Sequence, residues 1–75
     1  MQIETIGKYQ FQFIAHEVAG GWDAYLTIMK FDDAKEDFKC VLEKHQVSDH
    51  AYATYDDAID AARLAGNALI EEGRV

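Results

Sequence analysis

Seventy-five residues, 49% of them apolar and 12% aromatic, describe one small folded domain rather than a disordered chain. Fourteen acidic residues against seven Lys and Arg leave a net charge of −7, and the basic residues are scattered along the sequence. That pattern argues against a nucleic-acid partner, because binding a phosphate backbone needs clustered cations. Cys40 is the only cysteine, which excludes a disulfide framework and fits a reducing compartment.

Residues 1–8 carry neither the basic n-region nor the apolar h-region of a signal peptide. No apolar run approaches the ~20 residues needed to cross a bilayer. The expectation is a soluble cytoplasmic protein with no membrane contact. Proline is absent, and no linker, repeat or low-complexity tract divides the chain, so residues 1–75 read as a single α+β domain.

Residues 8–16 alternate, with Tyr9, Phe11, Phe13 and Ala15 on one side and Gln10, Gln12, Ile14 and His16 on the other. Period-two alternation with aromatic enrichment predicts a half-buried strand. Residues 1–6 either extend the sheet or fray, with Gly7 marking the break. Ala19-Gly20-Gly21 reads as a hairpin turn. A second strand follows over 22–31, with Trp22, Ala24, Leu26 and Ile28 facing one way and Asp23, Tyr25, Thr27, Met29 and Phe31 the other.

The polar stretch 32–37 reads as a loop. A third strand is predicted over 38–44, placing Phe38, Cys40 and Leu42 inward against Lys39, Val41 and Glu43. Residues 45–50 form a polar turn region, and 51–53 offer a short fourth strand. The expected sheet is thus antiparallel with three strands, or four.

Thr54-Tyr55-Asp56-Asp57 announces a helix, with the Thr54 hydroxyl placed to accept from the Asp57 amide and the aspartates favoured by the helix dipole. Gly73 is placed to end it. Ala58, Ala62, Ala65 and Leu69 make an apolar stripe, flanked by Ile59, Gly66 and Ile70 on one side and by Ala61, Leu64 and Ala68 on the other. These small side chains let the helix approach its partner closely, so bulk must come from Tyr9, Phe11, Phe13, Trp22, Leu26 and Phe38. The architecture expected is β-β-β-α, with one C-terminal helix packed on one face of the sheet.

A lone helix covers one face only. On the other stand Ile14, Tyr25, Met29, Phe31 and Val41, among Gln10, Gln12, Thr27, Lys39 and Glu43. An apolar set of this kind, left uncovered, marks an interaction face. Symmetric self-association is its simplest use, so a homodimer is the expected partner and another protein the next.

Other candidates have simpler structural readings. His45 and His50 approach zinc-ligand spacing but lack a cysteine pair, so they read as loop histidines. Asp32, Asp33, Glu36 and Asp37 lack the alternation and central glycine of a calcium loop and read as a solvated acidic loop. Cys40, placed inward between apolar neighbours, reads as a small core residue rather than a reactive thiol. Trp22 could stack on a ligand beside the Gly20-Gly21 turn and the helix end, but more often such a residue closes the end of a core. No acid, base and nucleophile arrangement is present, so no enzyme, cofactor or metal is expected.

The order of Gly7-Lys8-Tyr9-Gln10-Phe11, Gly20-Gly21-Trp22, and Tyr52-Ala53-Thr54-Tyr55-Asp56-Asp57-Ala58 opening a helix that ends in Leu69-Ile70-Glu71-Glu72-Gly73 resembles small, mostly uncharacterised bacterial β-β-β-α proteins. More distantly, it is similar to the HlyU-type transcriptional activators. The resemblance spans nearly the whole chain and implies a cytoplasmic bacterial domain. It carries over no catalytic residue. The leading expectation is a non-catalytic interaction or homodimerisation module. The alternative is a small-ligand-binding or regulatory domain, with a role in transcription included.

Overall fold

The computed structural model describes all 75 residues. Four strands run in chain order, β1 (Gln2–Ile6), β2 (Tyr9–Val18), β3 (Gly21–Asp32) and β4 (Asp37–Gln46), and one helix follows, α1 (Tyr55–Glu71). The sheet is an antiparallel meander in the order β1-β2-β3-β4. The fourth strand is therefore the N-terminal segment. Residues 51–53 contribute only a single bridge, in which Trp22 and Tyr52 exchange both backbone bonds at 2.8 and 2.7 Å.

The alternation read in the sequence places the core. Phe11 and Phe13 of β2 face the helix together with Ala24, Leu26 and Ile28 of β3, and each is at most 1% exposed. Burying the Phe, Leu and Ile side chains among them is worth about 1.5–3 kcal/mol apiece. The helix answers with Ala58, Ile59, Ala62 and Gly66. At Gly66 the approach is tight: a β-carbon there would stand 3.0–3.3 Å from the Phe11 ring. Large residues on the sheet thus meet small ones on the helix, as the composition of the two halves demands. Leu64 departs from the expected flank, for it points away from the sheet and is 69% exposed.

The helix begins where the sequence predicts. Thr54 is extended, and its hydroxyl oxygen accepts from the Asp57 N–H at 3.1 Å. At the far end the Arg74 N–H reaches the Leu69 carbonyl at 2.9 Å, closing the helix around Gly73. Trp22 packs edge-on against Tyr55 at 5.4 Å, so it seals the core at the helix start.

Strand β4 overturns part of the sequence reading. Its ladder with β3 shifts register twice, between the Leu26 and Ile28 rungs and again between Ile28 and Met29. Leu42 lies opposite Ile28, and Cys40 opposite Met29, with Val41 the extra residue between them. Both Val41 and Leu42 pack against the buried cluster. Phe38 and Cys40, expected inward, consequently lie on the face away from the helix, where Phe38 is 39% exposed and Cys40 is a free, exposed thiol. A bulge reverses every side chain beyond it, and alternation alone carries no warning of that.

Candidate functional site

The helix packs over β2 and β3 on one side of the sheet, and no layer covers the other. On the uncovered face the rungs put Ile14 beside Tyr25, Gln12 beside Thr27 and Gln10 beside Met29. The next rungs join Met29 to Cys40 and Phe31 to Phe38. Ile14, Tyr25, Met29 and Phe31 are half-buried by their neighbours. Four of the five residues assigned to this face from the sequence therefore share it. Val41 does not stand free with them, because the bulge turns it toward the core.

The apolar groups fall into two spots. At one end the Phe31 and Phe38 rings meet edge to face at 5.3 Å, next to Met29 and Cys40. Toward the other, Tyr25 stacks against His16 at 5.2 Å, and Lys44 Nζ lies 4.8 Å from the Tyr25 ring and 3.3 Å from His16 Nε2. Gln10, Gln12 and Thr27 separate them, with Gln12 Nε2 donating to Gln10 Oε1 at 3.1 Å. On β1, Ile3 pairs with Gln12 and extends the face to the edge, 54% exposed.

Charge is sparse here. Beside the Cys40 thiol and the Tyr25 phenol, the ionisable groups on this face include Asp23 and His16, which share a rung, and Lys44, whereas most of the chain's fourteen acidic residues lie elsewhere. The carboxylates lie mostly along the outer side of the helix and in the loop that joins β3 to β4. The sequence signal that could have placed Phe38 and Cys40 here is the adjacent apolar pair Val41-Leu42. Two neighbouring apolar residues break strict alternation where the bulge occurs.

No group of three His, Cys, Asp or Glu side chains converges in a way that could hold a metal ion. Beside Trp22 the 51–52 segment lies directly against the turn: a β-carbon on Gly21 would stand 2.1 Å from the Tyr52 carbonyl oxygen. No helix is long and apolar enough to cross a membrane. No family model, curated protein or solved structure matches the chain.

Proposed function

We propose that the protein is a non-catalytic interaction module that pairs with a second copy of itself through the uncovered sheet face. One observation carries the reading: an apolar, nearly uncharged face on a chain of net charge −7. Two copies meeting there keep most of their carboxylates, Asp23 excepted, outside the contact. A basic partner would find its complement elsewhere, on the acidic helix and loop.

Size agrees with this use. The molecule measures 45 × 22 × 16 Å, so its broad face offers at most about 1,000 Å², near the ~800 Å² per partner of a standard interface. Sheets stack face to face about 10 Å apart, which suits the Phe31–Phe38 pair and Met29 as interdigitating anchors. The reading describes an acidic cytoplasmic protein of bacterial type, acting through association rather than turnover.

Light scattering at micromolar concentration tests it. The native chain should scatter at twice its 8.5 kDa mass. Replacing Met29 or Tyr25 with Glu should return the mass to that of one chain while the far-ultraviolet dichroism stays unchanged. A native protein that is monomeric throughout this range would overturn the reading.

A further inference from the structure

We draw no further inference here: the strongest candidate, the cluster of His16, Tyr25 and Lys44 at one end of the uncovered sheet face, belongs to the interaction face already described, with the Asp23 carboxylate on the His16 rung.

Discussion

Gly21 opens β3 with φ at +149°, and the Tyr52 carbonyl fills the space its side chain would need. Both facts bear on one residue, so its replacement should be costly although it lies in a surface turn. Gly21→Ala should lower stability by roughly 1–3 kcal/mol from the backbone conformation alone, with the steric conflict adding to that. Urea unfolding of the two proteins measures the difference. An alanine variant as stable as the native chain would mean that the 51–52 segment moves aside freely. The loss should come with a blue- or red-shifted Trp22 emission, because the displaced segment is the one that bridges Trp22.

Between elements, the tie that fixes the edge strand is electrostatic. Glu4, on the helix side of β1, receives Arg63 Nε at 3.1 and 3.0 Å and the Nη2 group as well, while Arg63 also reaches Asp60 and lies over the Phe13 ring. The hydrogen bonds from Arg63 hold the Glu4 carboxyl below its usual 4.5, so the charged form is favoured in the folded state. Its contribution is fully present above that ordinary value and is lost as pH falls through the lowered one. Glu4→Gln should therefore be less stable than the native chain at neutral pH, and the gap should close as the solution is acidified below the carboxylate range. Chemical denaturation at neutral and at strongly acidic pH reads this out, and a gap of constant size would refute the tie. Because the pair is partly exposed, the effect should also shrink in concentrated salt.

Most of this architecture was legible from side-chain order. Alternation gave β2 and β3, the Thr54–Asp57 spacing gave the helix start, and the alanine stripe gave the buried face. Leu64 was misplaced because it borders the stripe on a helical wheel yet falls beyond the reach of the narrow sheet. β4 departs from the alternation for a different reason. Register is a property of two strands, and the extra residue at Val41 shows only as a small lapse in pattern. That Lys30 and Lys39 share a rung is equally invisible in the sequence, since it arises from the same register.

For the whole molecule, the distribution of charge matters more than its sum. Each copy carries −7, so two copies repel at long range even if their contact surfaces do not. Raising the salt from 0.1 M to 1 M shortens the screening length from about 10 to about 3 Å. Self-association through the sheet face should accordingly tighten with salt, a trend sedimentation equilibrium can follow. Weakening would point instead to an interface held by opposite charges.

The register shifts in β4 have one more consequence. A sheet with two regular open edges can add further chains without limit, which is how soluble strands grow into fibres. Here one edge is interrupted twice and carries Lys39 and Lys44, and the other is only five residues long with Glu4 turned inward toward the helix. Short strands, bulges and inward charges all spoil the template that a new strand would need. Lateral growth is blunted at both ends, and the face-to-face pair proposed above would add a strand to neither edge.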